Sequence, residues 1–534
     1  MKSTLLPSIF NDVIGPVMRG PSSSHTAASW RIAVTGMQIL NDELESALIE
    51  VEQRGIWASN FREQGTALGM DGGLLGIDMT DERILHIRQI AKEKGIGIEY
   101  MISRFETDHT NTMRITLKGK SGKGVVLLAI STGGGMFGIT ECDGHSVDLR
   151  GESYHLIIRA RPGFDEGSLQ PDRTILREKH RVRTSVRDTE TLLLVTSPEP
   201  FSEKERLKVE GLEGVVAVSL VEPVLPVVSG KETEFRFTDI PSLMKFASGE
   251  AYTLGELGLM FESSRSGLDR AEIIDKMKTL IGIIEGGIAV GLKGTRYADR
   301  ILHQQSDLVH KAAEEGKIHS GSLVNRIIAN VTALMEVKSA MEVIVAVPTA
   351  GTCGTFGGTI KAFCDNNGLT GEEKVMAYFA GGLVGVFFAM GPGFSAEEKG
   401  CQVETGAAGC MTAAALADLS GGDFRQSLAA ASIALQNTIG LVCDPVADRV
   451  EVPCLGKNVS AGMNALAAST MAVSGFDPVI PLDQVIRAVE EVGRVLPSAL
   501  CNSGKGGLAV TPRAKELKKM LKSLNGDSMK ISNV

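Results

Sequence analysis

Three cysteines in one apolar, Gly- and Ala-rich stretch, Gly400–Asn458, constrain this chain more than any other feature of its sequence. Cys401 lies in GCQVETGAAG, Cys443 in LVCDPV and Cys454 in EVPCLGKN. Cys443 and Cys454 each lie within two residues of a proline, which predicts that they stand at the ends of structural elements. Three soft sulfur ligands suit an iron–sulfur cluster or zinc, and with only three of them one metal position stays open for chemistry.

A structural alternative exists for each of these residues, because a single buried cysteine is more often a small core hydrophobe. Cys410 is close in sequence, and four thiolates would instead indicate closed structural zinc, although the spacing from Cys401 is not that of the usual knuckle. Cys353, in PTAGTCGTFGG, is predicted to be a small buried thiol, since no His or acid stands in a matching motif. The cysteine spacing alone therefore does not determine which metal would be bound.

Length, charge and termini exclude several classes of protein. The chain has 534 residues, too many for one compact domain, and its net charge of −9 argues against nucleic-acid binding. Eight cysteines in so long a chain do not form a secreted disulfide framework, and MKSTLLPSIFNDVIG has no signal-peptide pattern, so we expect a cytoplasmic protein. Val375–Ala396 is uncharged and long enough to span a bilayer, but glycines interrupt it, and we expect a buried core helix and no membrane contact.

The patterning predicts a multidomain chain with three units. Residues 1–150 have the mixed pattern of an α/β domain, with strands at Met113–Leu117 and Gly124–Ser131. Residues 151–237 are predicted to form a small α/β, ACT-like sandwich, for which a regulatory role is one interpretation. Residues 238–525 are helical almost throughout, which predicts a large all-α catalytic domain, and residues 526–534 form a tail. Asp239 or its neighbour Thr238 is expected to cap the first helix of the third unit.

The predicted helices of the third unit are Leu254–Ser263, Leu268–Gly282, Tyr297–Glu315, Ser322–Ile344, Glu372–Met390, Thr405–Leu419, Phe424–Leu435, Ala461–Val473 and Leu482–Val495.

A motif in the first unit, GPSSSHTAA at Gly20–Ala28, places three serines and His25 ahead of a predicted helix. Hydroxyls and free N–H groups at a helix start can cradle a carboxylate or a phosphate, and a histidine can exchange a proton near neutral pH. Composition alone nevertheless favours an ordinary N-cap with a surface histidine, because serine clusters often cap helices.

Two further loops are rich in glycine and hydroxyl groups. STGGGMFG, Ser131–Gly138, ends a predicted strand and is either a loop that lines a ligand or a tight turn; its spacing is not that of a dinucleotide fingerprint. PTAGTCGTFGG, Pro348–Gly358, lies between two predicted helices and can offer backbone N–H groups to a carboxylate.

Together these motifs closely resemble the iron–sulfur-dependent L-serine dehydratases (L-serine ammonia-lyases), and the resemblance covers most of the chain. The first unit is similar to the family's beta part and the third to its alpha part, as in single-chain members. The matching segments are GPSSSHT at Gly20–Thr26, the serine and glycine triplet at Ser131 and Gly133–Gly135, PTAG at Pro348–Gly351, GCQ-x-E-x-G at Gly400–Gly406, CDPV at Cys443–Val446 and VPC at Val452–Cys454.

The resemblance implies a [4Fe-4S] cluster held by Cys401, Cys443 and Cys454, with one open iron acting as a Lewis acid, and no pyridoxal phosphate. It implies β-elimination of water from L-serine to give pyruvate and ammonia. His25 is the candidate base for the Cα proton, with His109, in DHTNT, in reserve. The candidate substrate contacts are Ser22, Ser23, Ser24, Thr26, Ser131, Gly133, Gly134, Thr349, Ala350 and Gly351. The expected partner is a small amino acid, and we expect a homodimer.

The chain departs from the family pattern at two places. Some members end in a cysteine that is thought to reach the open iron, whereas the last cysteine here is Cys501, in LCNSGKGGLAV, and the tail KISNV has none. The family's His-Gly-Thr appears here as Gln64-Gly65-Thr66. The alternatives are the same elimination on threonine or cysteine, a non-catalytic amino-acid sensor that carries a cluster, and a structural zinc protein.

Overall fold

The computed structural model describes residues 6–169, 180–229, 235–297 and 300–524. The predicted tail, 526–534, and residues 173–179 of the charge-rich stretch 173–187 lie outside them. The strands are β1 Val17–Met18, β2 Leu44–Glu52, β3 Gly97–Ser103, β4 Thr112–Gly119, β5 Gly124–Gly133, β6 Met136–Cys142, β7 His145–Leu149, β8 Tyr154–Ala160, β9 Arg181–Val186, β10 Thr191–Ser197, β11 Val215–Val221 and β12 Ile344–Val345.

The α-helices are α1 Ala28–Leu40, α2 Trp57–Asn60, α3 Thr66–Leu74, α4 Ile87–Glu93, α5 Glu203–Glu210, α6 Ile240–Phe246, α7 Leu254–Ser266, α8 Arg270–Lys293, α9 Leu308–Glu314, α10 Ser322–Ser339, α11 Cys353–Asn367, α12 Gly371–Met390, α13 Ala396–Lys399, α14 Thr405–Leu419, α15 Phe424–Gln436, α16 Cys454–Val473, α17 Leu482–Val495 and α18 Pro512–Leu524.

The first sheet has six strands in the order β3-β2-β4-β5-β6-β7, and every pairing in it is antiparallel except that of β2 with β3. The strands predicted at Met113–Leu117 and Gly124–Ser131 are confirmed as β4 and β5. Alternate residues of both strands are buried, as the period of a pleated strand requires, and α1 covers that face. The sheet thereby holds α1, whose N-terminus carries the GPSSSHT motif.

The second sheet has four antiparallel strands in the order β11-β8-β10-β9. Both faces of its inner strands, β8 and β10, are buried. Leu156 and Leu193 pack with Val209 of α5, whereas Ile157 and Leu194, which point to the opposite face, belong to the same apolar core as α1. The second sheet is therefore packed directly onto the helix that follows the GPSSSHT motif.

The remainder of the described chain is mainly helical and surrounds one large apolar core. Asp239 caps α6 with a reciprocal bond to Ser242, as the sequence predicted. The helix α12 is long and apolar enough to cross a membrane by length and composition, but 72% of its most apolar window is buried inside the protein. It packs against α7 and α14, so the expectation of a core helix is confirmed.

The third unit is not entirely α-helical, because β12 pairs with β1 from the start of the chain, Val17 opposite Val345. The predicted helix Tyr297–Glu315 is also wrong: α9 covers only its last part. Before α9, the backbone N–H groups of Ile301 and Leu302 donate to the carboxylate of Glu451 at 3.1 and 3.3 Å instead of to helical carbonyls. A distant acidic side chain thus replaces the local hydrogen bonds that helical periodicity assumes.

Candidate active site

The GPSSSHT motif forms a single π-helical turn, Ser23–Ala27, that leads into α1. Gly20, at φ +117°, makes this turn possible, because a Cβ there would lie 2.7 Å from Thr26 Oγ1. His25 is fully buried. The composition-based expectation of a surface histidine is therefore wrong, since packing against α3 and the helical part covers the turn.

His25 is held at both ring nitrogens. Its Nε2 lies 3.0 Å from Asn60 Oδ1, so Nε2 carries the proton and Nδ1 is the acceptor. Nδ1 lies 3.0 Å from Ser22 Oγ and 3.1 Å from Ser24 Oγ. Burial lowers the pKa of His25 below its usual value, and the nearby Glu397 carboxylate opposes this only in part. The imidazole is thus neutral near pH 7 and can accept a proton at Nδ1.

Glu397, on α13, joins the first unit to the segment that carries Cys401. Its Oε1 accepts a hydrogen bond from Ser24 Oγ at 2.8 Å and lies 3.6 Å from His25 Nδ1. Asn502 Nδ2 is 3.5 Å from the same oxygen. Glu397 stands four positions before Cys401, so the turn that carries His25 is joined to the segment that carries Cys401 although the two are far apart in sequence.

The two small-residue loops, Ser131–Gly138 and Pro348–Gly358, both lie close to the GPSSSHT turn and Glu397. The N–H of Ala350 donates to Ser23 Oγ at 3.2 Å, which joins the PTAG loop to the GPSSSHT turn. Gly133 pairs with Phe394, and a Cβ on Gly133 would lie 2.8 Å from Ser395 N. Glycine is therefore required at position 133 because the loop lies against the chain's own backbone, beside Glu397.

Two of the three candidate cysteines approach each other closely. The sulfurs of Cys401 and Cys443 and a carboxylate oxygen of Glu404 all lie within 4.8 Å of one another. The Cys443 thiol donates to Cys401, which lowers the pKa of Cys401 and raises the pKa of Cys443. Cys454, the first residue of α16, is outside this close group, but the charges of Cys401 and Glu404 both act on it. The centre is thus a thiol pair with a carboxylate, flanked by a third thiol.

Two lysines, one of them partly buried and the other fully buried, lie beside these thiols. Lys457 Nζ donates to Val442 O at 2.6 Å and to Asp444 at 3.0 Å, and it is 3.9 Å from Cys401 Sγ. Lys338 is fully buried and its Nζ donates to Val450 O. Burial lowers the pKa of Lys338, whereas the nearby Cys454 raises it. Positive charge at these positions favours the thiolate forms that bind metals.

The remaining cysteines have different environments. Cys410 is fully buried within α14, where burial alone raises its pKa, and it is not among the grouped ligand atoms. Cys353 is buried in α11 with its thiol directed at Leu334 O, 3.9 Å away. Cys501 forms a backbone bridge with Cys443, but its own thiol points at Pro497 O at 3.7 Å.

Two acids at the centre of the site escaped the sequence-based selection, namely Glu397 and Glu404. Burial raises the pKa of Glu404 well above its usual value, and the charges of Cys401 and Glu397 add to this effect. The PTAG loop covers Glu404, because a Cβ on Gly351 would lie 3.7 Å from its Oε2. The signal that could have revealed Glu404 is its place within the GCQVETG motif.

A third overlooked residue, Asn111, lies at the end of the first sheet. It is completely buried, and neither its Oδ1 nor its Nδ2 has a hydrogen-bond partner among the described residues. Its backbone carbonyl accepts from the N–H of Ser131, whose buried hydroxyl is also without a partner there. His109 Nδ1 accepts from the N–H of Asn111 at 3.1 Å, and its Nε2 lies 3.5 Å from Glu398. Buried amide atoms without partners are costly, so Asn111 is a candidate contact for a ligand.

Gln64, which stands where the resembling family has histidine, also reaches the site. It exchanges hydrogen bonds with the side-chain amide of Asn502 at 3.1 and 3.3 Å. Thr26 donates to Gln64 O at 3.2 Å, so its hydroxyl points to this turn. Gln64 therefore positions Asn502, and through it Glu397, without offering a proton acceptor comparable to histidine.

Comparison with known proteins defines the class. The family model described as "Serine dehydratase alpha chain" matches residues 172–509. A probable L-serine dehydratase alpha chain of Bacillus subtilis is 33% identical over 285 residues, 53% of this chain and 95% of that protein. The L-serine dehydratase alpha chain of Peptoniphilus asaccharolyticus is 30% identical over 265 residues, 49% of this chain and 91% of that protein. A probable beta chain of Bacillus subtilis is 39% identical over 151 residues, 28% of this chain and 67% of that protein.

The fold, the thiol centre and these relatives identify the protein as an enzyme of the lyase class. The chain belongs to the serine dehydratase alpha-chain family, in the iron–sulfur type of L-serine dehydratases, and it combines alpha-like and beta-like parts in one polypeptide.

Proposed function

We propose that this protein is an L-serine dehydratase, which eliminates water from L-serine and releases pyruvate and ammonia. The observation that carries the proposal is the convergence of a neutral, buried His25 with the Cys401–Cys443 thiol pair, joined by Glu397. Such an elimination needs a base for a weakly acidic Cα proton and a Lewis acid for a poor leaving group. In this proposal His25 is the base, the thiols hold the Lewis acid, and Glu397 links the turn that carries His25 to the segment that carries Cys401.

The donor set fits a cluster-type cofactor. Cys401, Cys443 and Cys454 are soft ligands, and Lys338 and Lys457 offset the charge that their thiolates would carry. We propose that these three cysteines hold a [4Fe-4S] cluster. When bound, the cluster supplies a Lewis acid for the leaving hydroxyl oxygen.

The residues of the chain perform the proton transfer and hold the substrate. Nδ1 of His25 takes the Cα proton, and the Glu397 carboxylate, 3.6 Å away, stabilises the imidazolium that results. The Ser22 and Ser24 hydroxyls, which lie 3.0 and 3.1 Å from Nδ1, mark the position of the substrate. We propose that the substrate carboxylate binds beside the Thr349–Gly351 loop, which the Ala350 N–H holds to Ser23 Oγ at 3.2 Å. The aminoacrylate that leaves the site then hydrolyses to pyruvate and ammonia.

The proposal is tested by anaerobic purification, with iron, acid-labile sulfide and zinc quantified, followed by assays of 2-oxo acid release from L-serine, L-threonine and L-cysteine. We expect iron and sulfide with pyruvate release from serine. Preferential turnover of threonine or cysteine would mean that the enzyme catalyses the same type of elimination on a different amino acid. Zinc without sulfide would refute the cluster, and an iron- and sulfide-loaded protein that turns over none of the three would favour a sensor.

We further propose that the second sheet is an ACT-like regulatory unit. Numbered along the chain from β8, its strand order is 4-1-3-2, the order of ferredoxin-like sandwiches, and α5 connects its last two strands. Ser219 Oγ donates to Ile39 O at 2.8 Å on α1, the helix that begins beside His25. A ligand that altered this packing would act on the GPSSSHT turn through one helix.

Asn111→Leu is expected to raise the KM for serine about tenfold or more, because a hydrogen bond from a buried amide to a charged group is worth roughly 1.5–3 kcal/mol. Thermal stability should stay equal or increase, since the substitution removes polar atoms that have no partner among the described residues. Steady-state kinetics and a thermal melt measure both. Asn367→Leu, at an exposed position on α11, is the control. Loss of stability with an unchanged KM would show that Asn111 is structural.

A further inference from the structure

Lys457 ties the segment that carries Cys443 to the helix that begins at Cys454. It stands three residues after Cys454 in the first turns of α16, so the two side chains are neighbours on one face of that helix. Its Nζ donates to Val442 O at 2.6 Å and to Asp444 Oδ1 at 3.0 Å. These acceptors belong to the residues on either side of Cys443. The lysine therefore binds both neighbours of Cys443 to α16.

The third contact of the same ammonium group is with the segment that carries Cys401. The sulfur of Cys401 lies 3.9 Å from Lys457 Nζ, within reach of an N–H···S hydrogen bond. An ammonium has three protons, and Val442 O, Asp444 Oδ1 and Cys401 Sγ offer it three acceptors. The chain segments of all three candidate cysteines thus meet at this one side chain.

The charge of Lys457 is balanced by Asp444. The side chain of Asp444 is buried, and its Oδ2 accepts a hydrogen bond from the N–H of Leu508 at 2.9 Å. Both oxygens of this carboxylate are therefore engaged, one by the ammonium and one by the backbone. In a largely buried ion pair, removal of one partner leaves the other charge uncompensated. Substitutions of Lys457 and of Asp444 should therefore change the local charge in opposite directions.

A contact of this kind affects a metal centre in two ways. Ligands that the chain places before the cofactor arrives bind it more tightly, because less conformational entropy is lost on binding. Hydrogen bonds to the ligand sulfurs and the net charge nearby also set the reduction potential of an iron–sulfur cluster. A cationic donor that joins three ligand segments can therefore act on both the retention and the potential of a cluster.

We propose that Lys457 is a positioning residue of the thiol centre formed by Cys401, Cys443 and Cys454. It orders the three cysteine segments and donates a hydrogen bond to the sulfur of Cys401. The inference rests on the proposed [4Fe-4S] cluster and gives Lys457 no contact with the substrate. Its consequences are firmer retention of iron by the protein and a higher reduction potential of the bound cluster.

Iron retention tests the positioning role on the full-length holoenzyme. Lys457→Met removes the charge and the three contacts and keeps most of the apolar length of the side chain. We expect it to release iron to an excess of a ferrous-iron chelator about 10- to 100-fold faster than the unmodified protein, as loss of visible absorbance under anaerobic conditions. Lys374→Met is the matched control, because Lys374 is 14% exposed, against 15% for Lys457, and pairs with Glu285 of α8 outside the thiol centre. It should release iron at the unmodified rate.

The reduction potential separates the effect of charge from a general loss of structure. Lys457→Met and Asp444→Asn break the same ion pair but remove charges of opposite sign. We expect the midpoint potential of the cluster, measured by a redox titration monitored by electron paramagnetic resonance, to fall in Lys457→Met and to rise in Asp444→Asn. Shifts of the same sign, or no shift in either variant, would overturn the proposed role. If Lys457→Met does not fold, the rise or its absence in Asp444→Asn decides the question.

Failure of this inference is distinguishable from failure of the proposed function. If the unmodified protein carries iron and sulfide and turns over serine, but Lys457→Met retains iron equally well at an unchanged potential, only the positioning role is wrong. If the cluster is present and responds to the two substitutions as expected while serine is not turned over, only the proposed reaction is wrong. An unmodified protein without iron and sulfide would refute the cluster and the role of Lys457 together.

Discussion

Cys443→Ala is expected to lose bound iron and serine turnover together, with activity reduced at least about a thousandfold. Cys443 Sγ lies within 4.8 Å of Cys401 Sγ and of Glu404, so its removal leaves one thiol of the close pair. Ligand thiolates are needed both to hold an iron–sulfur cluster and to set its electronic properties. Iron and acid-labile sulfide per chain, the visible absorption spectrum and anaerobic serine assays measure the loss.

Cys410→Ala is the matched control, because Cys410 is also a buried cysteine of the same region but lies outside the ligand group. It should keep its iron and its activity and lose at most about 1 kcal/mol of stability, the cost of a small core truncation. An active Cys443→Ala protein with a full complement of iron would refute the ligand assignment. Loss of iron from Cys410→Ala in a folded protein would refute the exclusion of Cys410.

His25→Asn is expected to lower kcat about 10²- to 10⁴-fold, the usual contribution of a general base, while the bound iron is retained. The asparagine amide ends about where Nδ1 lies, so it can still bond to Ser22 and Ser24 but cannot take the Cα proton. His109→Asn is the companion variant. His109 is partly exposed and its Nε2 lies 3.5 Å from Glu398, so we expect a much smaller effect. If His109→Asn were the slower enzyme, the roles of the two histidines would be exchanged.

The pH dependence gives a second test of His25. Its pKa is lowered by burial, and the neutral imidazole is the active form. Activity should therefore exceed half of its maximum at pH 6.5, the ordinary histidine pKa, and fall as the pH drops through the lowered value. Glu397 raises the pKa of His25, so Glu397→Gln should move the acidic limb of kcat/KM to lower pH while it reduces the maximal rate. An acidic limb that does not move would show that another group titrates.

The local segments of the fold were largely predictable. The bounds of α14 and α17 agree with the periodicity of Thr405–Leu419 and Leu482–Val495, because the apolar residues that define each helix lie within it. The segment before α9 was not predictable, since the carboxylate of Glu451, about 150 positions away, binds its backbone N–H groups. Local rules fail where a distant side chain replaces local hydrogen bonds.

The residues of the candidate site also fall into two groups, those that the sequence indicated and those that only the structure revealed. The motifs around His25, Cys401, Cys443 and Cys454 could be selected from the sequence, because residue types with distinct chemistry stand in unusual local patterns. Glu397 stands in no such pattern. It became visible only when its carboxylate was found between Ser24 and Asn502, two residues that the sequence separates by hundreds of positions.

The sequence by itself determined the family resemblance, the helical character of the third unit and the cysteines that could hold a metal, because these depend on residue types and short spacings. Only the tertiary structure decided that His25 is buried and neutral, that Glu404 lies against Cys401 and Cys443, and that the amide atoms of Asn111 have no partner among the described residues. Burial and proximity between distant segments set pKa values and hydrogen-bond satisfaction, and neither is encoded in any single stretch of the chain.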